Sequence, residues 1–454
     1  MDRRAFLAAT AAAATLAACG DDGQSESDQP RTQPDETVGA AGAVSAALVT
    51  RWRQDPFAFG SYSYLAPGSS PADREALAAS VRDKLYFAGE AASVDFAATV
   101  HGALLSGRAA AEEILATLEP AASIFIVGAG AAGLGAARAL TDAGFAVTIV
   151  EGRDRIGGRV HTDTSRGVPL ELGAGWIHGA DGNPLTELAE EFGVERLVTD
   201  PDEIVVYDVD GTEADEGTLE ALEDGLQELD FDEAPTVGET IEAALSQLAP
   251  DEARLGRYLA TAIIEHEEAA DIDSLSPETF LAGEEFDGDE NVMPGGYIGL
   301  LAPLADGIEV QLGRTVTSIA EDTDGVKIGF TDGTNATADA VLVTVPLGVL
   351  KAGVIEFDPV LPDDKLAAID RLGMGVLNRV ILEYDERFWD DDVDVIGFVG
   401  EEPGLFVEWY DWTQVVGKPV IVGFNAGSVA ERLESLDDDA IIALATSALA
   451  TMYT

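Results

Sequence analysis

Apolar and polar positions along the chain follow three patterns, and each predicts a different kind of element. From Ile124 the run IFIVGAGAAGLGAARALTDAGFAVTIVE sets a short β-branched stretch before a glycine turn, then an alanine-rich segment, then a second apolar run ending at Glu151. This order predicts strand, helix and parallel strand. Upstream, KLYFAGE (84–90) reads as a short strand and TVHGALLSGRAAAEEILATL (99–118) as a helix. The link EPAAS (119–123) is short enough to return that helix to the strand at Ile124, which predicts a parallel crossover.

Between 185 and 290 the apolar positions recur at helical spacing, as in TIEAALSQLAP (240–250) and EARLGRYLATAIIEHEEAA (252–270). From Thr315 to Pro346 they alternate at strand spacing, broken at Asp324-Gly325 and Asp332-Gly333, which are hairpin signals. No internal repeat is present. The predicted fold class is α/β, a Rossmann-like domain with a parallel sheet (121–184 and 291–351) beside a mixed α+β domain (185–290 and 352–454).

The 454 residues and 46% hydrophobic content are ample for a buried core. Charge adds a second constraint: 84 acidic against 26 basic side chains give −58, and only five residues are lysine. Such a surface repels nucleic acid and anionic membrane. It suits a protein that stays soluble in high salt, with attraction of cationic ligands as the alternative. The first 19 residues, with Arg3-Arg4 before a small apolar run, read as a twin-arginine export signal. LAAC (16–19) resembles a lipoprotein cleavage box that would leave Cys19 lipidated and the chain anchored on the outer face of the cytoplasmic membrane; an ordinary signal cut elsewhere is the alternative. Residues 20–47 read as a flexible tether. Cys19 is the sole cysteine, so the monomer holds no disulfide, no cysteine metal site and no thioether link to a flavin.

Gly128, Gly130 and Gly133 form a GxGxxG between strand and helix. The first permits a tight turn, the second lets a pyrophosphate approach the helix N-terminus, and the third lets helix and strand pack closely. Glu151, ending the second strand, is placed to accept hydrogen bonds from the adenosine ribose. Arg153, Gly158 and Arg159 in GRDRIGGR add guanidinium and backbone donors for a diphosphate, which favours FAD.

Seven stretches resemble the flavin-containing amine oxidases, the family of monoamine and polyamine oxidases and lysine-specific histone demethylases. They are VEGRDRIGGR (150–159), ELGAGWIHGADGNP (171–184), MPGGY (293–297), VLVTVPLGVLK (341–351), LGMGVLNRVILEYDERFW (372–389), TRWRQDPFAFGSYSY (50–64) and LYFAGEAASVDFAATVHGALLSGRAA (85–110). In the family the last two lie at the C-terminus, so this chain looks circularly permuted, with 48–120 moved ahead of the first flavin-domain strand; a mis-joined gene model is the alternative. The resemblance implies non-covalent FAD, with Glu151, Arg153 and Arg159 on its adenosine and diphosphate half and Val316 against the adenine. It also implies Gly175 and Trp176 near the flavin, Gly89 and Glu90 near the ribityl and diphosphate, and Thr99 and Val100 at the isoalloxazine. Tyr62 and Thr99 match positions lining the amine site, and His178 matches a substrate-contacting histidine of some polyamine oxidases; alone, it reads equally as a packed or surface residue. Trp52, Phe59 and Phe96 read as core or cavity wall.

The implied reaction passes a hydride equivalent from the α-carbon of a neutral amine to the flavin, leaves an imine for hydrolysis, and returns electrons to oxygen as hydrogen peroxide. One departure matters: Arg379 stands where the family commonly has a lysine holding a water beside the flavin, and arginine cannot readily become neutral. It marks slow oxygen use, another electron acceptor, lost activity, or only the chain's shortage of lysine. Three readings follow: an exported oxidase of polyamines or small amines, a flavin dehydrogenase or desaturase of a non-amine substrate, and a silent FAD-binding lipoprotein. No segment resembles a chromatin-reading module.

Overall fold

The computed structural model describes residues 42–200, 204–231, 234–322, 325–391 and 393–453. The export signal, Cys19 and most of the tether stretch therefore lie outside the described residues. A five-stranded parallel sheet runs in the order Glu309–Gln311, Ala146–Val150, Ser123–Val127, Ala340–Val343, Leu85–Phe87. Its middle strand is apolar from Ile124 to Val127 because both faces are covered there. Ile124 and Ile126 point into one core with Leu104, Leu134 and Leu140. Phe125 and Val127 point into another with Ile319, Ile328 and Phe330.

The first core is capped by two helices, Val100–Thr117 and Ala131–Asp142, and the second by the four-stranded sheet that contains Val316–Asp322 and Gly325–Phe330. Both hairpin expectations agree with the antiparallel pairing in that sheet, although Asp324 itself lies outside the described residues. The predicted crossover is also present: strand Leu85–Phe87, helix Val100–Thr117 and strand Ser123–Val127 run in sequence, with Ala340–Val343 between the two strands.

A six-stranded sheet, mostly antiparallel, runs in the order Val44–Val49, Leu377–Tyr384, Val420–Ala426, Glu408–Asp411, Val395–Phe398, Ile204–Tyr207. Val380 and Leu382 pack towards the helix Asp438–Met452. The alternate positions, Arg379 and Ile381, face the other way, as a period of two requires. Strand pairing begins at Val44, inside the stretch read as tether, because the small and β-branched residues of VSAALV pair with the edge of Leu377–Tyr384. Region 185–290 holds the helices Glu216–Gln227, Val237–Leu245 and Pro250–Ala260, together with two strands, Leu197–Thr199 and Ile204–Tyr207, too short to show periodicity. The helical pattern through 252–270 is interrupted by a wide π-type turn, Thr261–Glu265. No helix among the described residues is long and apolar enough to cross a membrane.

The two capping helices approach through small residues. A Cβ on Gly107 would collide with the backbone of Ala132. Gly107→Val is therefore expected to destabilise the fold by about 1–3 kcal/mol, read as a lower urea midpoint at unchanged slope. An unchanged midpoint would contradict this packing.

Candidate active site

Beyond the C-terminal ends of the parallel strands, a cavity of about 2480 Å³ extends to the inner face of the six-stranded sheet. Of the sequence candidates, only Gly133 is absent from its wall. Gly133 lies beneath the turn, where a Cβ would collide with the carbonyl of Gly128, the close strand–helix packing its motif position predicts.

At the parallel-sheet end the backbone is cut away. Gly128 holds φ +117, a conformation side chains avoid, and a Cβ on Gly130 would meet nothing nearer than the Gly157 carbonyl at 3.9 Å. Gly158 (φ +61) faces Gly130, and Gly89 (φ +144) opens onto free space. The N-terminus of helix Ala131–Asp142 points into this space, as does that of Val100–Thr117, where Val100 lines the wall. Glu151 accepts the amides of Ala129 and Arg153, both at 2.9 Å, so its carboxylate is fixed before any ligand arrives. The buried Val316 closes the same end. These glycines and helix ends fit a dinucleotide diphosphate, which needs close backbone approach and unspent N–H groups.

The arginines are held rather than free. Arg153 pairs with Asp55 at 2.7 Å and lies over Phe57. Arg159 donates to Glu90 and to the Ser61 carbonyl, both at 2.8 Å. Glu90 also accepts the Ser63 hydroxyl at 2.7 Å and the Ala98 amide at 3.2 Å. Burial opposes its charge, but Arg159, Ser63 and Arg74 hold its carboxyl below the usual range. Glu90 therefore braces Arg159 within the wall. Thr99 caps its helix, accepting the Gly102 amide and donating to the Phe96 carbonyl, both at 2.9 Å, so its hydroxyl is already used.

At the six-stranded end the wall becomes aromatic. The guanidinium of Arg379 lies 5.2 Å from the Trp176 ring centre and 4.9 Å from that of Phe424, beside Gly175, and donates to the Glu171 carbonyl at 2.7 Å. Among the described residues it forms no ion pair, and burial lowers its pKa to about 10 despite Glu171, Tyr62 and Tyr410. Tyr62 donates to the His266 carbonyl at 2.7 Å. Trp176 packs edge-on against Tyr410 and Trp412. Trp52, Phe59 and Phe96 join the wall, as the sequence suggested.

The mouth is acidic. Glu213, Glu216, Glu220 and Glu223 line it from one segment, and Glu267, Glu284, Glu285 and Glu290 from another. His178 sits among them with its side chain 61% exposed and its Nδ1 2.6 Å from Glu290. Enclosure by the cavity walls, although the ring itself stays open to the cavity, would lower its pKa, but Glu290, Glu267 and Glu285 raise it to about 9. Below it, His101 is packed against Phe96 and Phe286, and burial, with His178 nearby, holds it at about 4. Sequence reasoning missed His266, Glu290, Glu408, Tyr410 and Phe424; the one local signal was the clustering of acidic and aromatic residues in VEWYDW (407–412).

The chain matches a family model described as flavin containing amine oxidoreductase over residues 35–115, 131–291 and 274–454. Polyamine oxidase 4 of Oryza sativa subsp. japonica is 34% identical over 355 residues, covering 73% of this chain and 72% of that protein. Lysine-specific histone demethylase 1 homolog 1 of the same organism is 36% identical over 69% of this chain and 41% of its own length. A solved putrescine oxidase variant, redesigned in its cofactor binding, superposes with a TM-score of 0.54 at 24% identity over 73% of this chain and 81% of its own, a likeness of fold.

Two outcomes are expected. By NMR, the His178 imidazole should titrate near 9, falling towards its ordinary 6.5 in Glu290→Gln. Because the folded value is the raised one, the ion pair contributes fully below 6.5 and is lost as pH rises through about 9. A His178 that titrates near 6.5 in the unsubstituted protein would contradict the pairing. Gly130→Val, at an ordinary φ of −83, should leave the fold intact and weaken dinucleotide retention at least about tenfold; full retention would show that nothing approaches there.

Proposed function

The chain belongs to the flavin containing amine oxidoreductase family and is a FAD-dependent amine oxidoreductase, and from this we propose that it oxidises polyamines or small diamines. The observation that carries the reading is the continuity of one cavity from a glycine cradle, through an aromatic chamber, to an acidic mouth. Relatives named polyamine oxidases in two plants, the second at 33% identity in Arabidopsis thaliana, support the same substrate class.

When bound, FAD supplies the acceptor for the hydride equivalent leaving the carbon beside the amine nitrogen. Gly128, Gly130, Gly158 and the N-terminus of Ala131–Asp142 would hold its diphosphate, with Glu151 at the ribose. The remaining work belongs to the protein's own side chains. Acids at the mouth concentrate cations, and the aromatic walls exclude water and fix the substrate's approach. Arg379 disfavours a second positive charge beside it, so an amine arriving there loses its proton more readily and meets the reaction centre neutral. Tyr62 and Tyr410 line the same chamber and add aromatic surface to it.

The rotated order of segments is part of this reading. It is supported by the separate family match at 35–115 and by the edge position of Leu85–Phe87 beside Ala340–Val343. Export through Arg3-Arg4 and anchoring at Cys19 remain proposals from the sequence. Arg379 favours a second reading of the oxidative half, in which an acceptor other than oxygen takes the electrons.

In air, spermidine and putrescine should be consumed with one hydrogen peroxide per amine oxidised. Consumption that needs an added electron acceptor would favour the second reading, and no consumption at all would overturn amine oxidation. Salt should lower kcat/KM for spermidine about tenfold while leaving benzylamine little changed, because screening acts hardest on the more highly charged substrate. Equal salt effects on both would remove the acidic mouth from substrate capture.

A further inference from the structure

Outside the groups already assigned, one further arginine of the cavity wall is held in place by its surroundings. Strand Glu309–Gln311 runs parallel to Ala146–Val150 at the edge of the sheet, and the two strands end together at Gln311 and Val150. A turn at Leu312-Gly313, where Gly313 holds φ +67, then carries the chain across the end of the neighbouring strand. Gly313 donates to the Arg153 carbonyl at 2.7 Å, and Arg314 to the Glu151 carbonyl at 2.8 Å. Arg314 is thereby stationed next to the acid assigned to the ribose, and it lines the cavity together with Thr315, Val316 and Thr331.

Its guanidinium is held as a plate. The central carbon lies 4.0 Å from the centre of the buried Phe330 ring. Nη1 donates to the Gln311 side chain at 3.0 Å and Nη2 to the Thr334 hydroxyl at 2.9 Å. Thr334 in turn donates to Asp332 at 2.5 Å, so the positive charge meets an acid at one remove. Nε is sealed from solvent and has no partner among the described residues. The edges of the group are thus turned to the protein, and the face away from Phe330 is what it can offer the cavity. A flat cation with one face on a phenyl ring stacks well on a second flat, electron-rich ring.

Position decides which ring. In a unit of strand, glycine turn, helix and strand, the acid ending the second strand takes the ribose hydroxyls, and the base joined to that ribose lies just beyond. Glu151 fills the first role, with its carboxylate fixed by the Ala129 amide, and Arg314 stands beside it. A further phosphate on the ribose would meet the Glu151 carboxylate, so the chemistry that fits is a purine ring and not another anion.

We propose that Arg314 is a binding residue for the adenine of the dinucleotide, which stacks on the guanidinium face opposite Phe330. This rests on the FAD dependence of the family and not on which amine is oxidised. Because the contact is one of faces, salt acts on it far less than on an ion pair.

The test is retention of FAD by the loaded protein, followed as flavin fluorescence appears on dilution at low and at high salt. Arg314→Met keeps a stem on Phe330 and removes the plate; it is expected to release FAD at least about tenfold faster at both salt levels. Arg314→Lys keeps the charge without the plane and should release FAD about as fast as Arg314→Met. Arg314→Tyr restores a flat ring without the charge and should recover most of the retention, a rescue that neither a structural nor a purely electrostatic role would give. Unchanged release in Arg314→Met, full retention in Arg314→Lys, or equally fast release from all three variants would overturn the proposal. The readout is dinucleotide release, so a failure of amine oxidation leaves the result standing.

Discussion

Everything in the site depends on where the middle strand of the parallel sheet is forced to stop. Ser123–Val127 is buried on both faces, so its register is fixed by two cores at once. At Gly128 the chain must turn sharply into a helix, at a φ that side chains avoid. That turn aims a helix N-terminus into the cavity, and the Arg153–Arg159 loop lies against it through the backbone contact of Gly157 with Ala129 at 2.8 Å. The position of every other group, from Glu151 to the six-stranded sheet opposite, is measured from this point.

The second organising constraint is electrostatic. A chain of net charge −58 must keep its few cations where they matter, and it does so by bracing them. Arg159 is locked by Glu90, and Arg153 by Asp55. Arg379 is held differently: it is buried against two aromatic rings without an ion pair among the described residues. Burying such a charge is costly unless something compensates it, and the rings supply only part of that compensation. The cavity is therefore polarised, with acids at the mouth and a cation at the inner wall, a field of the sign that the proposed capture and deprotonation of an amine would need.

The local parts of this design were legible in the sequence. Strand, glycine turn, helix and acidic terminus occupy one continuous stretch from 123 to 151, and each residue's job follows from its neighbours. His178 was visible in GWIHG, but its protonation was not, because Glu290 lies 112 residues away and meets it only through the fold. Glu408 and His266 are separated by 142 residues and carry no motif. Glu90 was placed near the ribityl and diphosphate by resemblance, and only the assembled wall shows it pairing with Arg159. The strand at Val44 escaped notice for a related reason: its composition resembles a linker, and only its partner at Leu377–Tyr384 makes it a strand.

The most direct test of the account is the visible spectrum of the purified protein titrated with spermidine in the absence of oxygen. A bound flavin whose absorbance bleaches as spermidine is added would show that one cavity brings cofactor and amine together. A bound flavin that stays oxidised with every amine tried would contradict the central claim, leaving a dinucleotide site without the chemistry assigned to it.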